Sequence, residues 1–412
     1  MRIVPRCSAN EARPGGSEMA RSADKILTTH VGSLVRPEAL VAYLRQRESG
    51  KPYDHKAFDA CLAESIHAVL KRQAEIGIDI VSDGEFGRSG SWSRYVMNRL
   101  DGFEQRPLDS GKDDLPPSPL GKEGEDFADF YAEYLPKQNL SRPNFVWTVT
   151  GPVKYRGQSE IRADIESLSK GLAGVDTTEA FMPAVAPASV SPSSRDEYYR
   201  NEKDYLFALA EALREEYRAI VDAGFMVQID DAYLATTYGQ IVPPGTLDDY
   251  RRWATLRVDA LNHALEGIPE DRTRYHVCWG SWNGPHASDV EIKDIVDLIL
   301  KVRVGCYSLE MANPRHEHEW RIWETTKLPE GRKLLPGVIS HATNVVEHPD
   351  LVAERIVRLA KLVGRENVIA STDCGFAQGP FVRRVHPSIM WAKLESLAEG
   401  ARRATRELWG RG

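Results

Sequence analysis

Eight short runs of β-branched and apolar residues recur along this chain, and helical periodicity fills most of the gaps between them. The runs are ILTTHV (26–31), DIVS (79–82), FVWTVT (145–150), FMVQID (225–230), RYHVCW (274–279), CYSLEM (306–311), LLPGVI (334–339) and NVIAST (367–372). Helical patterns occupy 201–223, 287–302, 350–363 and 387–406, with Gly364 as a helix stop. Strands that alternate with helices build parallel sheets. Eight such units predict an α/β fold, a (β/α)8 TIM-type barrel. Long loop insertions are expected after strands 2 and 3. The first covers 104–144, rich in Pro, Gly and Asp, and the second covers 155–200, which contains MPAVAPASVSPSS. The chain reads as a flexible tail over 1–24 and one catalytic barrel over 25–412.

Composition narrows the function. The 412 residues are 42% hydrophobic and 27% charged, with a formal net charge of −7. That is the make-up of an ordinary globular protein, and it predicts neither nucleic acid nor membrane as a partner. No apolar run reaches the ~18–20 residues that span a bilayer. The first 24 residues lack the apolar stretch of a secretory signal, and Met19 is a second candidate start. Cys7, Cys61, Cys278, Cys306 and Cys374 are odd in number and widely spaced, which points to free thiols in a reducing cytoplasm. Oligomeric state is not legible.

Barrels keep their chemistry at the C-terminal ends of the strands. Those ends carry His30 and Ser33, Asp83 and Glu85, Gly151, Asp230 and Asp231, His276 and Cys278, Glu310, His341, and Asp373 and Cys374. Residues two apart on a strand share a face, so His276 and Cys278 can grip one ion. Glu310 and Cys374 complete a set of two thiolates, one imidazole and one carboxylate. Such a set suits tetrahedral Zn²⁺ better than magnesium, calcium or copper. Singly, each of these residues fits a packed core as well; the four together favour a metal. Cys306 opens strand six at the far end, and Cys61 lies in the helical pattern FDACLAESIHAVL. Both read as packing residues.

Seven segments, in order, carry a family likeness: TTHVGSLVRP, SDGEFGR, QIDDAYL, HVCWG, SLEMANPR, PGVISHATNVVEHP and STDCGFAQG. Over 26–380 the chain resembles the catalytic half of cobalamin-independent methionine synthase. The resemblance implies a barrel whose zinc binds the homocysteine thiol and delivers a methyl group to it. It implies His276, Cys278, Glu310 and Cys374 as zinc ligands. By the same likeness, Ser33 and the backbone near Val31 hold the amino-acid carboxylate, and Glu85 and Asp230 hold its ammonium. His341 is then the catalytic acid that protonates the leaving group. The partners implied are a small-molecule thiol acceptor and an alkyl donor such as a methyl-folate.

The chain also departs from the family pattern. It has one barrel where full-length plant and bacterial enzymes have two. TGPVKYRGQ keeps Gly151 and Pro152 without the Thr and Trp that the family uses around the pterin. Asp230-Asp231-Ala232 replaces Asp-Glu-Pro, and Ser340 stands where Asp is usual. These changes bear on the donor more than on the acceptor. Two other readings stay open: alkyl transfer to another thiol or from an epoxide, as in epoxyalkane:coenzyme M transferase, and a non-catalytic barrel with a structural zinc.

Overall fold

A computed structural model describes residues 22–107, 120–138 and 145–410. The expected tail up to residue 21, with Cys7 and Met19, lies outside the described residues, as do 108–119 and 139–144 of the first expected insertion.

Eight strands form one parallel sheet: β1 (Leu27–Thr28), β2 (Ile80–Val81), β3 (Glu179–Val185), β4 (Met226–Asp230), β5 (Thr273–Val277), β6 (Cys306–Leu309), β7 (Lys333–Ile339) and β8 (Ile369–Thr372). Each pairs with the next along β2 to β8, and β8 pairs with β1. The seam between β1 and β2 is bridged by the Asp79 amide donating to Thr28 O (3.1 Å) and the Thr29 hydroxyl donating to Ile80 O (3.0 Å). The result is a nearly closed α/β barrel of the TIM type.

Helices pack outside the sheet, and their ends follow local chemistry. Asn201 accepts from the Asp204 amide (2.9 Å) to start Glu202–Asp222. Thr246 and Asp249 form a capping box at the head of Leu247–Ala264. Helices Pro349–Val363 and Pro387–Trp409 each begin with proline, whose missing N–H costs nothing in the first turn.

Two expected elements are placed differently. FVWTVT is not the third barrel strand. It belongs to Phe145–Tyr155, which pairs with Leu100–Pro107 and Ser194–Asp196 in a separate three-stranded sheet, and this takes Gly151 out of the ring of strand ends. The third strand is β3, inside the stretch expected as a loop. Its sequence, EAFMPAV, carries a proline and little β-branching, so its strand signal is weak. The expected helix over 287–302 is reduced to a 3₁₀ turn at Ile292–Asp294 and a short helix at Val296–Ile299. Ile292, Ile295, Val296, Ile299 and Val302 are buried at helical spacing, but the hydrogen bonds tighten to three residues at either end, from the Ile295 amide to Ile292 O (3.1 Å) and from the Val302 amide to Ile299 O (3.1 Å).

The interior rises from apolar to reactive. Leu27, Ile80, Phe181, Met226, Cys306, Leu335 and Ile369 plug one end of the barrel in a cluster of their own. Cys306 is thus a packing residue, and burial pushes its thiol up to about 12. Period-two alternation then lifts each strand toward the other end: Met226, Gln228 and Asp230 on β4; Arg274, His276 and then Cys278 along β5; Cys306, Ser308 and then Glu310 along β6.

Candidate metal centre

Cys374 is where the strand ends converge. Its sulfur lies 3.7 Å from that of Cys278. The ligand atoms of His276, Cys278 and Cys374 all fall within 4.8 Å of one another, and so do those of Glu310, His341 and Cys374. Two triads therefore share one thiol. Every member is buried except Cys374, which is partly exposed.

These groups are short of partners. His276 Nε2, both Glu310 carboxylate oxygens and both His341 ring nitrogens are buried without a hydrogen-bond partner. Leaving such atoms unpaired costs about 1–3 kcal/mol each, and more when charged. A cation between them relieves that cost, and their mixture of sulfur, nitrogen and oxygen fits a transition-type ion. The two thiols behave as a pair. The hydrogen bond between their sulfurs raises the Cys278 thiol and holds Cys374 well below the ordinary thiol range. Burial raises Glu310 and lowers His341 to about 4.

Neighbouring residues aim the candidate ligands. Ser308 Oγ lies 3.1 Å from His276 Nδ1 and turns Nε2 toward the thiols. Ser308 pairs with His276 across β5 and β6. Asp373 Oδ1 accepts from the amides of Met311 (2.9 Å) and Ala312 (2.8 Å), so the residue before Cys374 holds the turn after Glu310. Gly337 makes room for this: a Cβ there would stand 2.1 Å from Asp373 Oδ1. Neither Ser308 nor Asp373 was singled out as an orienting residue from sequence. Ser308 was accessible, since it stands two residues before Glu310 on the inward face of its strand.

The other expected site residues are placed as follows. Glu85 and Asp230 are buried, and the charge of Cys374 acts on both. Glu85 sits in the left-handed region at φ 61, with Arg88 Nη1 3.7 Å from Oε2. A β-carbon on Gly32 would come within 3.3 Å of its Oε1. Burial pushes Asp230 up to about 7, and Gln228 donates to its Oδ1 (2.8 Å). Ser33 and Val31 are already engaged. The Ser33 hydroxyl donates to Ala377 O, the Val31 amide to Thr372 Oγ1 (3.3 Å), and Gln228 donates to Val31 O. Asp231 is held by Ser189 and Tyr275 (both 2.8 Å) and does not join the centre.

Residues 187–385 match the family described as the catalytic domain of cobalamin-independent synthases. A methionine synthase from Saccharolobus solfataricus is 23% identical over 396 residues, covering 93% of this chain and 96% of its own length. The chain is similar to the cobalamin-independent methionine synthase family. Among solved structures, a B12-independent methionine synthase from Shewanella sp. W3-18-1, in complex with selenomethionine, aligns with a TM-score of 0.67 at 21% identity, covering 94% of this chain and 99% of that one. A protein from Listeria monocytogenes described as a vitamin-B12-independent methionine synthase aligns at 0.63 with 19% identity, over 94% and 100%. At these identities the structures speak for the shared fold. Among the described residues, no helix is long and apolar enough to cross a membrane.

A second buried cluster braces the loop after Cys278. His316 stacks on Trp279, with ring centroids 4.3 Å apart. Its Nε2 meets Asp289 Oδ2 (2.9 Å), which also meets His286 Nδ1 (2.9 Å), and its Nδ1 meets Glu319 Oε2 (2.8 Å). Burial opposes charge on His316, yet the two carboxylates lift it from 6.5 to about 9. A raised pKa gives stability that is complete below the unfolded value and lost as pH climbs through the folded one. Stability is therefore expected to fall between pH 6.5 and 9, by on the order of 3 kcal/mol. Urea unfolding across that range checks this: the decline should flatten in His316→Gln.

Proposed function

We propose that this protein is a zinc-dependent methyltransferase that methylates the thiol of homocysteine to give methionine. His276, Cys278, Glu310 and Cys374 hold the ion, and residues 25–412 act as one catalytic barrel. The observation that carries this reading is the convergence of buried, partnerless donors on Cys374 at one end of the barrel. The methionine synthase relatives match over nearly the whole chain, and that supports it further. The free cysteines among the described residues suit a reducing cytoplasm.

Zinc, when bound, keeps the acceptor thiol as a nucleophilic thiolate at neutral pH. The protein's own groups do the rest. Ser308 fixes the His276 ring, and Asp373 ties the Glu310 turn to Cys374. Glu85 and Asp230 take the substrate ammonium, while the segment of Val31 and Ser33 borders its carboxylate. In the transfer an S–C bond forms, the bond from the methyl to its donor breaks, and the leaving atom takes the bonding pair. His341 has the role that the resemblance implies and supplies the proton to that atom. A methyl-folate is the donor class that the resemblance implies.

One observation favours a different acceptor. The Ser33 hydroxyl and the Val31 amide already have partners, and Arg88 stands beside Glu85. The discriminating test loads the protein with cobalt and follows its absorption against homocysteine and coenzyme M. Two carboxylates attract an ammonium and repel a sulfonate, so homocysteine should perturb the spectrum at the lower concentration. Glu85→Gln should narrow the gap. An equal or reversed order would move the assignment to another thiol.

The tie between the ligand turns gives another expected result. Asp373→Ala should weaken zinc binding about 10–100-fold, the usual cost of losing a partner that orients a ligand. Asp373→Asn keeps a carbonyl acceptor for Met311 and Ala312 and should lie much nearer the unmutated protein. Chelator competition on both variants measures the difference.

A further inference from the structure

The expected carboxylate slot is already filled by internal hydrogen bonds. The Ser33 hydroxyl donates to Ala377 O and the Val31 amide to Thr372 Oγ1. Glu85, Asp230 and Glu310, on which the charge of Cys374 acts, are all acids. A zwitterion that meets only acids gains at its ammonium and loses at its carboxylate. The carboxylate needs a cation on another side of the centre.

Arg384 stands on that side. The chain after Cys374 forms a short antiparallel hairpin, Ala377–Gly379 against Val382–Arg383. Its base is a ladder that starts at Ser33. The Phe376 amide donates to Ser33 O (2.8 Å), and the Arg384 amide donates to Phe376 O (3.0 Å). Gly375 lets the segments close up, since a Cβ there would stand 2.9 Å from Ser33 Cβ. Arg384 therefore shares a wall with Ser33, one strand further out.

Its guanidinium faces the centre. Burial lowers it, while the Tyr134 hydroxyl, hydrogen-bonded to it, and the charge of Cys374 both oppose that shift. Tyr134 is itself fixed, because its hydroxyl accepts from the Asn283 amide (2.9 Å) in the loop after Cys278. Three other arginines near the site are committed inward. Arg36 donates to Glu85 O, Arg88 lies beside the Glu85 carboxylate, and Arg274 donates to Thr29 and His30. All three are buried, whereas Arg384 is half-buried and open to an incoming molecule.

We infer that Arg384 binds the carboxylate of the acceptor thiol, a role that rests on the homocysteine reading above. The acceptor is then held at three points: sulfur on the ion, ammonium on Glu85 and Asp230, and carboxylate on the guanidinium. The planar fork of arginine takes both carboxylate oxygens, which the point charge of lysine does not.

Cobalt-loaded protein is titrated with homocysteine and with aminopropanethiol, which is homocysteine without its carboxylate. Homocysteine should perturb the absorption of the unmutated protein at the lower concentration. Arg384→Met should raise the homocysteine concentration required roughly 10–100-fold, as loss of a hydrogen bond to a charged group does, and leave aminopropanethiol unchanged. Arg384→Lys keeps the charge and should lose less. Steady-state kinetics should place the loss in the homocysteine KM rather than in kcat. Equal losses for the two thiols overturn the inference, because they mark a structural role for the hairpin. A KM effect confined to the alkyl donor, or a loss seen with coenzyme M and not with homocysteine, overturns it as well. If Arg384→Met fails to take up cobalt, Arg384→Lys decides, and an undiminished preference for homocysteine over aminopropanethiol overturns the inference. A cobalt spectrum of the unmutated protein that ignores homocysteine overturns the homocysteine reading itself.

Discussion

Cys374→Ala is expected to empty the metal centre. Each triad needs this sulfur, so its loss dismantles both, whereas Cys278→Ala removes a member of only one. The drop in zinc affinity should exceed the ~10–100-fold that follows loss of a mere orienting partner. Metal content after dialysis should fall from about one zinc per chain to near none, with methyl transfer lost alongside. Cys278→Ala should retain more metal than Cys374→Ala, because Glu310, His341 and Cys374 still converge. Full zinc in Cys374→Ala would rule out the assignment. Equal loss in both variants would mean that the two triads do not act separately. Unfolding should shift in the same order, since an ion that binds only the folded chain stabilises it.

The candidate ligands were legible because a strand has a period of two and a barrel has a reactive end. His276 and Cys278 announced themselves at that spacing, and Glu310 and Cys374 followed as the ends of β6 and β8. Their convergence was not legible, nor was the closeness of His341 to Glu310, because separation in sequence says nothing about which loops fold inward. Asp373 was visible only as a strand-end carboxylate. Its function, holding two amides from a turn sixty residues away, depends on a glycine at 337 that carries no functional signal of its own.

Seven of the eight barrel strands were legible through β-branching, and the miss at the third has a clear cause. FVWTVT is the better strand by composition and does form one, but six residues hold no information about which sheet they join. EAFMPAV is poor in β-branched residues, yet it is buried almost throughout, and its burial between β2 and β4 overrides weak propensity. Pro183 sits in it with its ring against Gly32, where a Cβ would come within 2.5 Å. Packing against β1's loop, not propensity, holds this strand in the ring.

Glu216→Leu is expected to cost about 3–5 kcal/mol of stability, the penalty for breaking a buried ion pair by removing one partner. Glu216 is fully buried on the helix Glu202–Asp222, and it accepts from Arg99 Nη1 (3.0 Å) and from the hydroxyls of Tyr95 and Tyr155 (both 2.5 Å). Burial opposes its charge, but Arg99 and the two tyrosines hold its carboxyl below the ordinary range. Tyr95 and Arg99 come from the segment that leads from Glu85 into the side sheet, and Tyr155 ends the strand Phe145–Tyr155. One carboxylate thus fastens the side sheet and the Glu85 segment to the barrel wall. Leucine fills the volume but leaves two buried hydroxyls without this acceptor and Arg99 with Asp164 alone (2.5 Å). Glu216→Gln still accepts hydrogen bonds and should lose less. Urea unfolding ranks the three proteins, and a Glu216→Leu midpoint equal to the unmutated one would refute the fastening role. The same variant should respond more weakly to homocysteine in the cobalt spectrum, because Arg88 lies over the Tyr95 ring (4.2 Å) and beside Glu85. Its response to the metal alone should be unchanged, since no candidate ligand rests on Glu216.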